Sequence, residues 1–544
     1  MKCVTYSVFK RLAMLVCMAG ALYSCKKSPA LKKDTNIISG TREELTKDSI
    51  FLYAKEIYYW YNALPSFSVF NPRKYNSASD QFENFEQELF AITQYAKNPL
   101  TNLPYEYVSA TAGYPKYSYI TDITKQNPVA FIKNKKSSVD LEGNGNDFGL
   151  MVVASGVSKQ DFRIYVKAVY PGSPAEKAGI KRGDSFNKIN GIAIGTNYDT
   201  QFDYIYTSIF ESPAVTLEGN KRDNSSLNVA LNKASYKSSP IYKDTIYSAG
   251  NKKIGYMAYA RFSNPDDSYS EFNRVFNNFT TNKVTDLIID LRYNGGGYVS
   301  SSEYLANLIA PRALSTANTV MFTEYFNTLM QQNYSKRNTS PTAPLLAKQY
   351  ILNANDQKQD LNNDGKWDTY ADEDFSASSQ IARFSKRGSL EGIGKVVFIV
   401  TGSTASASEL VINNLKPHMS VKVVGSQSYG KPIGFFPIRI DKYDVYFSMF
   451  QTKNSLGSGE YYSGISPDIS ISDDVRRDKC DMWVLGDGPM AAAYNYITSN
   501  TVSSLSSKQG FNTSAKASVV LETPGKSLSD FEFKGMIENR VKIK

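Results

Sequence analysis

The hydrophobic pattern changes twice along the chain, and each stretch predicts a different kind of structure. Over 48–63, apolar residues recur at helical spacing (Ile50, Leu52, Tyr53, Ile57, Trp60, Tyr61) until Pro65 ends the run. Over 81–95 the spacing repeats, with Phe82, Phe85, Leu89 and Phe90 on one face. A small helical N-terminal domain is therefore expected over 43–135, and an Asn/Lys/Ser-rich interval at 126–147 closes it. Short strands follow: an apolar run at 148–153 and a second candidate at 162–169. Pro171-Gly172-Ser173-Pro174 then leads into a short helix at 175–178, a left-handed stop at Gly179 and a tight strand turn at Asn190-Gly191. From about residue 240 strands alternate with helices. Strands are predicted at 254–262, 284–290, 396–400 and 421–424, with a helix near 408–415. The unbroken Val396-Val397-Phe398-Ile399-Val400 marks a strand buried on both faces. A hairpin, 435–440 against 445–452, completes the pattern, and the fold class is multidomain α/β.

Length and composition narrow the classes. The 544 residues suffice for roughly three to four domains at about 150 residues each. With 42% hydrophobic and 21% charged residues, the chain is globular rather than disordered or collagen-like. Beyond the N-terminus no apolar run nears the roughly 18 residues that span a bilayer. There is one histidine, His418, so a His–Cys zinc cage cannot be built. A Ser-His-Asp triad would have to use it, and it reads as an ordinary loop histidine near a helix C-terminus.

The first 24 residues read as a leader. Lys2, Lys10 and Arg11 precede an apolar stretch at 12–23 of signal-peptide length. Leu22-Tyr23-Ser24-Cys25 resembles the bacterial lipobox, although Tyr23 is unusual there; a plain signal peptide is the alternative. On the lipobox reading Cys25 carries lipid and ties the protein to a membrane, and 25–42 is a polar tether. Lys26 lacks the aspartate of inner-membrane retention, which favours the outer membrane of a bacterial cell envelope. Cys3 and Cys17 leave with the leader, so Cys480 remains without an intrachain partner. Removing the three leader cations takes the formal charge from +10 to +7. The remaining cations are scattered among acids without a run of five, which argues against a nucleic-acid partner.

Three segments carry chemistry. After strand Val396–Val400 comes Thr401-Gly402-Ser403-Thr404-Ala405-Ser406-Ala407-Ser408-Glu409. A small-residue turn entering a helix can expose a serine hydroxyl where the helix dipole favours negative charge. Ser406 to Glu409 is also a capping box, which is the purely structural alternative. Asp290-Leu291-Arg292-Tyr293-Asn294-Gly295-Gly296-Gly297 closes another buried strand, and its glycines allow close backbone approach to a ligand. The third segment ends in Gly430-Lys431, a lysine that burial could turn into a general base.

Together these segments resemble the C-terminal processing (tail-specific) serine proteases, which use a Ser/Lys dyad; the resemblance covers 148–470. It includes a PDZ domain, resembled by Pro171 to Ile180, Lys181-Arg182-Gly183-Asp184 and Ile189-Asn190-Gly191. The resemblance implies a PDZ domain over 140–235 and a ClpP/crotonase-like α/β protease core over 240–475, followed by an extension, 476–544, without a motif. It also implies Ser406 as nucleophile, Lys431 (25 residues later) as general base, and N–H groups of Gly296 and Ala407 as oxyanion hole. Phe148-Gly149-Leu150 would bind the carboxylate of a polypeptide's free C-terminus, the expected substrate. Many members carry a glutamine four residues after the lysine; here that position is Phe435. Gln451 would substitute as lysine orienter if the hairpin loop is Lys442-Tyr443-Asp444, whereas a two-residue loop would turn it away.

No cofactor is required by this chemistry. Asp360, Asn362, Asp364 and Asp368 match the start of a calcium loop, with a turn glycine at Gly365 but Ala371 where a bidentate Glu is expected. The alternatives are a structural calcium site and an acidic surface turn. A non-catalytic peptide-binding scaffold is the rival to a protease, favoured only by Phe435; a glycan-binding lipoprotein rests on tyrosine content alone.

Overall fold

The computed structural model describes residues 39–108, 113–124, 139–332, 345–353, 356–476, 485–499, 519–521, 528, 534–538 and 540. The leader, Cys25, most of the tether and Cys480 lie outside the described residues. Among the described residues no helix is long and apolar enough to cross a membrane.

A six-stranded sheet forms the centre, in the order Ile241–Ala249, Lys252–Tyr259, Asp286–Asp290, Val396–Val400, Val421–Gly425, Ile469–Ser470. The first pair is antiparallel and every later pair parallel. Alternate side chains go to opposite faces, as a period of two requires. Val396, Phe398 and Val400 join the large core with helices Pro265–Thr281, Val299–Ile309 and Ala407–Leu415. Val397 and Ile399 join a second core under helix Gly488–Ser499. That helix lies in the extension, so the protease core continues past residue 475.

The N-terminal helices run Arg42–Ile57 and Gln81–Thr93. The first starts six residues before the predicted one because Thr41 and Glu44 form a capping box, with Thr41 N–H donating to Glu44 Oε2 at 2.8 Å. Ile50, Phe51 and Phe85 belong to the same apolar core as Phe322, Phe435 and Phe450. The helical region is present, yet it has no core of its own and is continuous with the α/β core.

Residues 150–232 build a separate barrel-like sheet with its own core, including Phe148, Val152, Ile164, Phe186 and Leu217. Helix Pro174–Lys177 and the left-handed Gly179 (φ 77°) fall where expected. Asn190 and Gly191 both take positive φ, which closes a tight hairpin between Ser185–Ile189 and Ile192–Ala193.

The predicted long hairpin is broken in two. Ile438–Ile440 pairs with Tyr443–Tyr446 across a two-residue loop, whereas Phe450–Asn454 pairs with Ile433–Gly434 in another sheet. Gln451 therefore faces Ile433, not Phe435.

Candidate active site

Ser406 sits between the buried strand Val396–Val400 and helix Ala407–Leu415, at φ 62° and ψ −112°. Such a conformation costs a non-glycine residue on the order of 1–3 kcal/mol and is the geometry of a nucleophile elbow. Of the capping box only one half forms: Ser406 N–H donates to Glu409 Oε2 at 2.8 Å. The Ser406 hydroxyl is buried and has no hydrogen-bond partner among the described residues. A polar group left so is expensive unless it has a use.

Glu409 does more than cap. Its carboxylate also accepts the Ser428 hydroxyl and the N–H groups of Gly430 (2.7 Å) and Lys431 (2.8 Å). One buried carboxylate thus clamps the serine turn to the lysine loop. Burial raises its pKa and these four donors pull it back down. The sequence offered the Ser-x-x-Glu spacing, but only as a cap.

Lys431 is fully buried. Its Nζ donates to the carbonyls of Lys534 (2.8 Å) and Tyr117 (3.2 Å), and lies 4.4 Å from the centre of the Phe435 ring. Burial pushes its pKa down from 10.5 to about 7, with Glu106 and Glu409 opposing and Lys116 and Lys534 reinforcing the shift. The Tyr117 carbonyl is itself fixed, because Glu106 accepts the Tyr117 and Ser118 N–H groups at 3.1 and 2.7 Å. Tyr117 also donates its hydroxyl to Gly430 O at 2.7 Å. The orienting role expected of Gln451 falls to this backbone carbonyl instead. Gln451 Nε2 donates to Gly459 O at 3.0 Å and its Oε1 accepts from Tyr59, so its amide is engaged away from the lysine. A main-chain oxygen leaves no signature in sequence.

The glycine turn lies against the serine. A Cβ on Gly296 (φ 105°) would stand 2.9 Å from Ser406 Cβ and 3.0 Å from Ala405 O. Asn294 joins the two turns: its carbonyl accepts Ala405 N–H and the Ser408 hydroxyl, both at 3.0 Å, and its Oδ1 accepts Gly296 N–H at 3.0 Å. Gly296 N–H is thus engaged by Asn294 and is not available as an oxyanion donor. In the parallel ladder of Gly296–Tyr298 with Gly535–Ile537, the next amide, Gly297, faces the paired strand. Ala407 N–H, at the first turn of the serine helix, donates to no acceptor among the described residues.

Behind the turn is a buried charge network. Arg292 pairs with Asp290 (2.6 Å), Asp473 (2.9 Å) and Asp487 (2.9 Å). Arg182, from the strand-rich region, reaches the same Asp473 at 2.7 Å and the Tyr293 hydroxyl at 3.0 Å.

Two other predicted sites look different in three dimensions. Phe148 is buried, Leu150 begins a strand, and Gly149 N–H donates to Asp147 Oδ1 at 2.7 Å. The Asp147 carboxylate holds the amide that a terminal carboxylate would need. In the acidic loop, Asp360 accepts the N–H groups of Asp364 and Gly365, Asn362 that of Asp364, and Asp368 that of Leu361. The oxygens turn inward to their own backbone, and among the described residues no three His, Cys, Asp or Glu side chains converge on a metal position. His418 Nε2 lies 2.9 Å from the Ser455 hydroxyl, away from the dyad residues.

Residues 253–471 match Peptidase family S41 and residues 165–208 match the PDZ domain. The chloroplastic C-terminal processing peptidase of Tetradesmus obliquus is 21% identical over 348 residues, covering 61% of each chain. The carboxy-terminal processing protease CtpA of Bacillus subtilis (strain 168) is 26% identical over 199 residues, 36% of this chain and 40% of that protein. The chain therefore spans less than two thirds of the length of either relative. A putative S41 protease from Bacteroides fragilis NCTC 9343 shares the fold, with a TM-score of 0.53 at 17% identity over 84% of this chain and 97% of that one.

Proposed function

We propose that this chain, an S41 peptidase domain behind a PDZ domain, is a serine-type endopeptidase acting through Ser406 and Lys431. The observation that carries the reading is the Glu409 clamp, which ties a strained, unbonded serine to the loop of a buried lysine that no carboxylate neutralises. Neutral Lys431 takes the Ser406 proton as Oγ attacks a peptide carbonyl, and later delivers it to the leaving amine. Ala407 N–H and the Gly297 amide are the donors best aimed at the resulting oxyanion. Water then releases the acyl group by the same proton relay.

The substrate reading is an extended polypeptide captured by the PDZ domain, whose strand Leu150–Ser158 is the edge that takes an added strand. Lipid on Cys25 and a place in the bacterial cell envelope rest on the lipobox alone; loss of acyl labelling in Cys25→Ser tests them. The enzymatic reading is tested by hydrolysis of casein by the 26–544 fragment beside Ser406→Ala and Lys431→Ala. Cleavage abolished in both folded variants is expected, and cleavage that survives Ser406→Ala would remove the nucleophile.

A further inference from the structure

The C-terminal extension returns to both halves of the proposed peptidase. Val519–Val520 adds antiparallel to the edge of Leu150–Ser158, opposite Gly156 and Ser155, and Leu521 N–H donates to Ala154 O at 3.0 Å. Leu521 and Leu528 are buried in the core of that domain. Further on, Gly535–Ile537 enters the cleft as an extended strand between two walls. On one side it runs parallel to Gly296–Tyr298, with Gly535 N–H donating to Gly295 O at 3.0 Å. On the other, Phe435 N–H donates to Met536 O at 3.0 Å and Glu538 N–H to Phe435 O at 3.1 Å. The Lys534 carbonyl accepts a hydrogen bond from Lys431 Nζ at 2.8 Å. The Gly535 carbonyl lies 2.4 Å from where a Gly296 Cβ would stand, the position that is itself 2.9 Å from Ser406 Cβ.

We infer that Lys534–Glu538 fills the polypeptide-binding slot of the catalytic centre in cis, as a tethered mimic of substrate. The inference rests on the peptidase reading. Three main-chain bonds and the Lys431 side chain hold the backbone of the segment, so the slot takes any extended strand; side chains set the preference. Gly535 occupies the place beside the serine where its carbonyl meets the glycine turn. Met536 is fully buried in the apolar core, so the following position selects a large apolar residue. Arg540 latches the end through Glu303 (2.5 Å) and Glu538 (2.7 Å). The strand added to the PDZ edge occupies the other polypeptide site with the same extension. Tethering gives each contact a high effective concentration, so a competing substrate must displace the tail before it is cut.

The test compares the 26–544 fragment with the same fragment ending at residue 533, and with the full-length Met536→Glu variant in case truncation unfolds the core. Both altered proteins should cleave casein with about tenfold higher kcat/KM, as when a competitor holding nine tenths of the sites is removed. A synthetic peptide of residues 531–544 added to the truncated enzyme should inhibit by raising KM without lowering kcat, and its Met536→Glu form should not. Unchanged or lower activity in both folded variants overturns the inference. So does mass spectrometry showing loss of everything after Gly535 from the parent but not from Ser406→Ala, because the tail is then a consumed substrate. If no form cleaves casein, the peptidase reading fails separately. The slot is then judged by anisotropy of the labelled peptide on truncated Ser406→Ala protein: saturable binding supports it and absence of binding overturns it.

Discussion

Arg292 and Lys431 are both buried cations within a few residues of the same cleft, and their surroundings differ in one respect. Arg292 is met by three carboxylates, Asp290, Asp473 and Asp487, and its pKa stays well above the ordinary value. Lys431 is met by two carbonyls and an aromatic ring, and burial takes its pKa down to about 7. Desolvation opposes charge in both places; only the acids reverse it. Glu409, the carboxylate that clamps the lysine loop, binds backbone N–H groups rather than Nζ. Lys386 sharpens the point. It also donates to three carbonyls, Leu308 O, Ala310 O and Leu390 O, and its pKa falls to about 8, yet the serine next to it, Ser315, is engaged with its backbone N–H at 2.6 Å and Glu391 lies 3.8 Å from its Nζ. A lowered lysine pKa is therefore a consequence of burial; on the proposed reading the strained Ser406, tied to the lysine loop through Glu409, is what gives a base its use.

The comparison breaks most severely if the two cations are made alike. Lys431→Arg places a group that cannot deprotonate where a base is needed, so kcat/KM on casein should fall by about 10⁴-fold or more, as in Lys431→Ala. Rescue by arginine would show that charge, not proton transfer, is the requirement. The converse change, Arg292→Met, removes the cation shared by three buried carboxylates, of which Asp473 keeps Arg182 at 2.7 Å. Denaturant unfolding should report a loss of about 3–5 kcal/mol, the usual cost of breaking a buried pair from one side. Lys431→Met, which buries no charge and leaves no acid unpaired, should cost far less.

Acidity separates the two sites next. A base with a pKa of about 7 is protonated below that value, so kcat/KM should fall about tenfold per unit below pH 7 and level off above it. Stability follows with a definite sign. Between about 7 and the unfolded value of 10.5 the unfolded chain binds a proton that the folded lysine does not. Stability therefore rises with pH across that window, by up to about 1.4 kcal/mol per unit, and the contribution should vanish in Lys431→Met. Arg292 titrates in neither state and adds no such slope. Glu409→Gln keeps the shape of the clamp but turns one acceptor oxygen into an NH2 donor, so two of the four bonds are lost; about a tenfold loss in kcat with a smaller change in KM is expected from misplacing the elbow.

How much of this was legible follows from which atoms do the work. The strand Val396–Val400 and the helix after it could be read because an unbroken apolar run and a small-residue turn have few alternative structures. The Thr41–Glu44 cap starts the first helix six residues before the apolar run from which the helix was predicted, so that start was missed. The slot was not legible. Its acceptors and donors are main-chain groups of Tyr117, Gly295, Phe435 and Met536, and backbone can be offered by any residue. Residues 534–538 are too few to show a period, and their strand exists only because two walls await it.

Gln451 gives the smallest expected effect and the finest discrimination. The predicted hairpin set it opposite Phe435 and suggested that a side-chain amide orients the base, whereas it pairs with Ile433 in another sheet and its amide is engaged by Tyr59 and Gly459. Gln451→Leu removes two buried hydrogen bonds far from Nζ, so stability should drop by about 1–3 kcal/mol while the pH midpoint of kcat/KM stays at its parent value. The Tyr117 carbonyl, locked by Glu106, continues to hold the amine in that variant. A midpoint that moved by a full unit in Gln451→Leu would return the orienting role to the glutamine, and would mean that the acid-free environment of Lys431 depends on a side chain rather than on backbone alone.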